Sequence, residues 1–301
     1  MTLIALAEDP IFPGWEGRER TIFKRSSILK LPHILILKTT LNTVLTVHPK
    51  LNIAIKAALK AGENIVRSSK RLDRAVIETK GNLDFVSNVD KECEEIIIDT
   101  ILSAYPDHAI LAEESGKQGK SEYEWIIDPI DGTLNFLRGY PHFCVSIALM
   151  KNNRAEEAVI YDPFKDELFT CSRGNGAKLN DTKIRVRNQK SLTKGLLATG
   201  FAVRNTTEFS HQLKTIDNCL KQGADIRRSG SAALDLAYTA CGRLDGFWEF
   251  GLNPWDVAAG SLIVIESGGI VTDKNGTENY KESGSIVAGN PKIVKALLKI
   301  I

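Results

Sequence analysis

No apolar run in this 301-residue chain is long enough to cross a bilayer; LKLPHILILK, Leu29 to Lys38, is short and broken by Lys, Pro and His. A secretory signal is missing too, because an acidic stretch follows the opening residues and no small-residue cleavage site follows an apolar core. The five cysteines are odd in number, widely spaced and without a CxxC, and the five histidines form no HExxH. These absences argue against a disulfide scaffold, thiol catalysis and zinc hydrolysis, and fit a reducing cytoplasm. A formal net charge of +2 leaves no field for extended nucleic-acid binding. The local pair Arg227 and Arg228 reads more simply as a solvated or subunit-facing patch. GNGA at Gly174 to Ala177 lacks the third glycine and following helix of a dinucleotide loop and reads as a hairpin turn. There is no internal repeat or glycine-serine linker. What remains is 43% apolar and 25% charged residues, the balance of an enzyme-sized globular chain with a large core.

The first 46 residues do not match the rest in character. MTLIALAEDPIFPGWEGRER mixes acidic, Pro and Gly residues, and the first expected helix is Pro49 to Ser68. Residues 1–46 are therefore expected to be a poorly ordered leader, with Val47 a candidate alternative start.

The most informative segment is WIIDPIDGTLNF, Trp125 to Phe136. Trp125, Ile126 and Ile127 favour a buried strand, so Asp128 is expected at its end, where sheet-end crevices collect ligands. Pro129 restricts Asp128 to extended geometry. Asp131 is followed by Gly132, which lets backbone approach a bound group, and by Thr133, whose hydroxyl can orient a water while nearby amides donate to phosphate oxygens. Two carboxylates and exposed amides suit a cation together with an anion. Standing alone, the same residues also read as a simple Asp-Gly turn.

Three further acidic clusters accompany it. AILAEE, Ala109 to Glu114, places Glu113 at a second strand end, with Ser115 and Gly116 breaking the strand. NPWD, Asn253 to Asp256, precedes VAAGSLIVIESGG, so Pro254 fits a first helical turn and Asp256 lies at the helix start. LDFVSNVD, Leu83 to Asp90, leads into an amphipathic helix beginning near Asp90. Taken one at a time, paired glutamates are solvated and an Asp at a helix start is a cap. Their joint occurrence in this order is harder to explain that way.

With these motifs, and with SGSAALDLAYTACGRLDGFWEFG at Ser229 to Gly251, the chain resembles the inositol monophosphatase family, most closely its bacterial inositol-1-monophosphatase branch, from Val47 to the C-terminus. The resemblance implies that Glu113, Asp128, Asp131 and Asp256 are carboxylate metal ligands, with the backbone carbonyl of Ile130 completing one shell. The hard oxygen donors favour Mg²⁺ or Mn²⁺ over zinc, with Mg²⁺ the expected cofactor. It further implies that Gly132 and Thr133 hold phosphate, that Asp90 and Thr133 orient the attacking water, and that Ala232 and Glu249 contact the alcohol. The implied reaction is hydrolysis of inositol monophosphate by in-line attack of water, with lithium sensitivity and a homodimer. Fructose bisphosphate, nucleoside bisphosphate and histidinol phosphate are neighbouring substrates. A second class of role, a regulatory protein of ribosomal RNA transcription complexes acting through protein or RNA contacts, follows from the bacterial branch. Where the family has Thr-Thr-Asn, this chain has Thr133, Leu134 and Asn135, so the bulk of Leu134 is expected behind the loop.

Helices and strands interleave without a regular βαβ rhythm, which indicates an α+β fold. The resemblance sharpens this to a layered α-β-α-β-α sandwich. A soft division near Lys183 to Lys194 separates residues 47–190, carrying most metal ligands, from 191–301, which would complete the site.

Overall fold

Helix α1 (Pro49–Ser69) shows how the chain builds its layers. Pro49 occupies its first turn, where a missing N–H costs nothing, and Leu51, Ala54, Ala58, Ala61 and Ile65 recur at helical spacing and are all buried. The computed structural model describes residues 48–71, 77–81, 84–201 and 206–301; the leader expected at 1–46 lies outside them. Thr46–Ile301 packs as one compact unit. After α1 come a hairpin, β1 (Ile77–Gly81) and β2 (Asp84–Ser87), and helix α2 (Asn88–Leu102).

An eight-stranded sheet follows, made of β3 (Ala109–Ala112), β4 (Gly116–Gln118), β5 (Tyr123–Asp131), β6 (Cys144–Lys151), β7 (Arg154–Asp162), β8 (Glu167–Ser172), β9 (Ala177–Leu179) and β10 (Thr182–Lys183), with the short helix α3 (Thr133–Leu137) between β5 and β6. Its order is β10-β9-β8-β7-β6-β5-β3-β4, antiparallel except for the parallel pair β3 and β5. The second half contributes β11 (Leu196–Thr199), α4 (Thr206–Lys221), β12 (Asp225–Arg227), α5 (Ala232–Ala240), β13 (Gly246–Phe250), α6 (Pro254–Glu266), β14 (Ile270–Thr272), α7 (Tyr280–Ser283), β15 (Ser285–Gly289) and α8 (Pro291–Leu297). Its five strands are ordered β12-β11-β13-β15-β14.

Three apolar clusters stack these elements. Alternation along β5 sends Trp125 and Ile127 to the α1 and α2 side and Ile126 to the other. The opposite face of the large sheet, with Ala148, Ile160 and Phe169, packs on α5 and α6, whose far side meets Ala198, Phe247, Ile286 and Ala288 of the small sheet. Trp248 and Val287 on that sheet's outer face are covered by Cys219 of α4 and by Ile293, Val294 and Leu297 of α8. The sequence of layers is α-β-α-β-α, as expected from the sequence.

Several local expectations shift. Cys93 is buried within α2, whereas Cys241 is half-buried and caps the end of α5. Ser115 and Gly116 do not simply break β3: Gly116, at φ +72°, begins β4 and turns the segment into a hairpin. GNGA is the turn between β8 and β9, and the amides of Gly174 and Gly176 grip the Glu266 carboxylate at 2.8 and 2.9 Å. Those amides bind the protein's own acid in place of a phosphate.

Candidate active site

Strand β5 runs farther than its apolar residues imply, through Asp128 to Asp131. Asp128 pairs with Ser146 and Asp131 with Cys144, so two residues, Pro129 and Ile130, stand opposite one. Positions three apart on a regular strand face opposite ways; the extra residue of this bulge turns both acids to one side. Pro129, which has no N–H to pair, suits the irregularity.

Asp256 reaches the same point from another layer. It is the third residue of α6, where one carboxylate oxygen accepts the Asn253 amide at 2.7 Å in a capping box. Oxygens of Asp128, Asp131 and Asp256 lie within 4.8 Å of one another. The plain role of Asp256 as a cap and its place in the acidic cluster therefore coexist, because a carboxylate has two oxygens.

The cluster is electrostatically strained. Asp128 is buried and its Oδ1 has no hydrogen-bond partner. Burial, followed by the charges of Glu113, Asp131, Asp256 and Asp90, pushes its pKa well above the usual carboxylate range. Asp131 is also raised by burial, to about 6, against the opposing pull of Ser231 and the first amides of α5. Ser231 Oγ donates to its Oδ2 at 2.6 Å and the Ala233 amide does so at 2.7 Å. Sequence motifs alone do not single out Ser231; its signal is the Ser-Gly-Ser cap immediately before an apolar helix. Glu113 follows β3, with its amide on the Ile127 carbonyl at 3.2 Å, and lines the same cleft without belonging to the 4.8 Å cluster.

A second acidic feature sits beside the cluster. Asp90 is fully buried in the first turn of α2, where it accepts from the amide and hydroxyl of Ser87 at 2.9 and 2.5 Å. Its other oxygen lies 3.0 Å from the Thr133 hydroxyl, which is equally close to the Ile130 carbonyl. The hydroxyl has one proton, and the carboxylate is the stronger acceptor. Asp90 is thus both cap and partner of Thr133, and burial raises its pKa despite these hydrogen bonds.

The cleft holds about 310 Å³ and is lined by Ile130, Gly132 and Thr133 on one wall and by Ala232 and Glu249 on the other. Gly132 has φ +97°, and a Cβ on it would meet the carbonyls of His142 and Gly230 at 3.1 and 3.2 Å. Asn135, the last polar residue of the motif, fastens this loop by donating to the His142 and Ser229 carbonyls at 2.7 and 2.9 Å. Leu134 lies in the cleft wall and is 43% exposed, so its bulk faces the opening instead of packing behind the loop. Burial first, then Asp235 and Asp256, raises the pKa of Glu249 well above its ordinary value. Arg228, expected on a solvated or subunit-facing patch, instead completes the cleft rim together with Phe201. Arg227 is exposed and paired with Asp225 at 2.9 Å.

Crowded carboxylates with an unpartnered oxygen are relieved by a proton or by a cation. The donors are all hard oxygens, which fit Mg²⁺, Mn²⁺ or Ca²⁺ and not a thiolate-seeking metal. The model of the inositol monophosphatase family matches residues 47–300. The chain belongs to that family. Nus factor SuhB of Escherichia coli K12 is 50% identical over 253 residues, 83% of this chain and 95% of that one. Among solved structures of inositol monophosphatase folds, the extragenic suppressor protein suhB from Bartonella henselae superposes with a TM-score of 0.81 at 42% identity, covering 83% of this chain and 96% of its own. Inositol monophosphatase from Anabaena (Nostoc) sp. PCC 7120 gives 0.72 at 42% identity, covering 83% and 94%. The inositol monophosphatase family assignment accounts for the layers.

Proposed function

We propose that this protein is a Mg²⁺-dependent phosphomonoesterase that releases phosphate from inositol monophosphate. The observation that carries the reading is the convergence of Asp128, Asp131 and Asp256 oxygens within 4.8 Å, beside the Asp90–Thr133 pair. Asp128, Asp131 and Asp256, with Glu113 and the Ile130 carbonyl, would hold the ions. When bound, divalent ions supply the positive charge that makes water a nucleophile and offsets charge on the departing oxygen.

The protein's own groups do the rest. Thr133 donates its proton to Asp90, which leaves its oxygen lone pairs to accept from a water and fix that water's direction. Asp90, already held by Ser87, is the group placed to receive a proton through Thr133. Gly132 brings backbone amides close to the phosphate, where a side chain would not fit. On the facing wall, Glu249 engages substrate hydroxyls, and the small Ala232 leaves room for the ring. Ser231 and the α5 amides keep Asp131 from swinging out of the cluster.

The test is phosphate release from inositol 1-phosphate by purified protein with and without Mg²⁺, alongside fructose bisphosphate, nucleoside bisphosphate and histidinol phosphate. Metal-independent activity, or none on any of these esters, would end the proposal. Inhibition by lithium is a secondary check. We also propose a cytoplasmic homodimer.

A second reading has its own support: a relative 50% identical is named a Nus factor. Here the protein regulates transcription of ribosomal RNA through protein or RNA contacts. Complementation of a deletion strain by Asp128→Asn separates the two, since a catalytically silent protein would still serve the regulatory role.

A further inference from the structure

Helix α2 carries a second buried acid one turn beyond Asp90. Glu94 is 3% exposed, and at four residues' spacing it projects from the same helical face as Asp90. While Asp90 meets Thr133, Glu94 reaches the turn after β3: its Oε2 accepts the amide of Glu114 and its Oε1 the amide of Ser115, both at 2.8 Å. Those amides belong to the three-residue turn between Ala112 and Gly116, the turn that begins with Glu113.

A buried carboxylate that satisfies two turn amides has a purely structural use, yet its chemistry is more demanding than that use requires. Only an ionised carboxylate offers an acceptor to each of two neighbouring amides without adding a donor. Glutamine would direct an NH₂ group at one of them. Ionised burial is costly, and the fork fixes the turn's rotation as well as its position. One helix therefore holds Asp90 against Thr133 and also sets the backbone that carries Glu113.

We infer that Glu94 is a positioning residue for the metal site: it orients the Glu113 turn relative to Asp90, and divalent-ion affinity depends on it. This rests on the phosphatase reading and adds a residue that touches neither ion nor substrate. The variants are Glu94→Gln and Glu94→Asp, the latter keeping the charge but shortening the reach. Glu157→Gln serves as control; that carboxylate is also buried but bonded to His48 and Ser172.

Mn²⁺ binding followed by electron paramagnetic resonance is expected to weaken about tenfold or more in both Glu94 variants, the scale of losing an outer hydrogen bond to a metal ligand. The Mg²⁺ concentration for half-maximal activity rises in parallel, and kcat at saturating Mg²⁺ returns to within about threefold of the parent. Glu157→Gln lowers the melting temperature without moving Mn²⁺ affinity. Parent-like Mn²⁺ affinity in the folded Glu94 variants overturns the inference, and Glu94→Asp decides alone if Glu94→Gln does not fold. A parent protein that binds no Mn²⁺ sinks the phosphatase reading itself and this inference with it.

Discussion

The Thr133 hydroxyl meets the Asp90 carboxylate at 3.0 Å, joining the first turn of α3 to the first turn of α2. Two segments distant in the chain thereby share one hydrogen bond, which in the proposed reaction is the proton path. Thr133→Val, which keeps the shape and removes the hydroxyl, is expected to lower kcat by about a hundredfold or more while KM changes little. Asp90→Asn should do the same. Because the two act as a unit, the double variant is expected to be barely slower than the worse single one. Steady-state kinetics on the three variants checks this, and fully additive losses would show that the residues act separately.

Asp128 is the most crowded charge of the cluster. Asp128→Asn is expected to reduce turnover at least about a thousandfold, a barrier increase of about 4 kcal/mol. The same change removes a buried, repelled charge, so the melting temperature in EDTA should rise. Near-normal phosphate release from a folded Asp128→Asn protein would falsify the assignment.

Glu249 gives a pH-dependent expectation whose sign follows from burial. Its pKa in the folded protein lies well above the unfolded reference of 4.5. Between those values the native state holds a proton that the unfolded chain releases, so stability falls as pH rises, by about 1.4 kcal/mol per pH unit. Glutamine carries no such penalty. Glu249→Gln should therefore raise the melting temperature of metal-free protein by about 2 °C or more near pH ~8. The gain should shrink as pH falls towards the unfolded value. Scanning calorimetry across pH in EDTA tests the slope, and a gain that grew on acidification would contradict it. Activity is expected to suffer in the same variant, because the alcohol exchanges a carboxylate for a weaker amide acceptor.

Gly132 has a φ of +97° and carbonyls 3.1 and 3.2 Å from where a Cβ would sit. Gly132→Ala is expected to cost about 1–3 kcal/mol of stability through backbone strain. Activity should be lost beyond that cost, since the shifted loop carries Thr133 with it. Denaturant unfolding and kcat/KM measured on one preparation separate the two losses.

Single elements were legible because burial patterns repeat on a short scale: the Ala-rich face of α1, the apolar start of β5 and the capped start of α6 can each be read in isolation, whereas their stacking into layers came from the family resemblance. The acids stood out at recognisable element ends, and the resemblance supplied their grouping into one site. The bulge at Pro129–Ile130 was not legible, because it depends on which residue of β6 stands opposite. Ser231 holding Asp131, Glu94 holding the Glu113 turn and Asn135 tying two loops were hidden for a related reason: each is a long-range hydrogen bond between residues whose types are common at caps and turns. Leu134 was misplaced because side-chain bulk alone does not say which side of a loop it occupies.

Asp128 and Asp131 are anchored in the large sheet, whereas Asp256 projects from the helix layer behind it. Like charges thus confront one another across a joint between strata. An ion seated among them would act as a rivet, and a chelator as a means of prising the joint open. Resistance to proteolysis, with and without divalent salt, therefore reports on the cohesion of the whole sandwich as well as on the readiness of its chemistry.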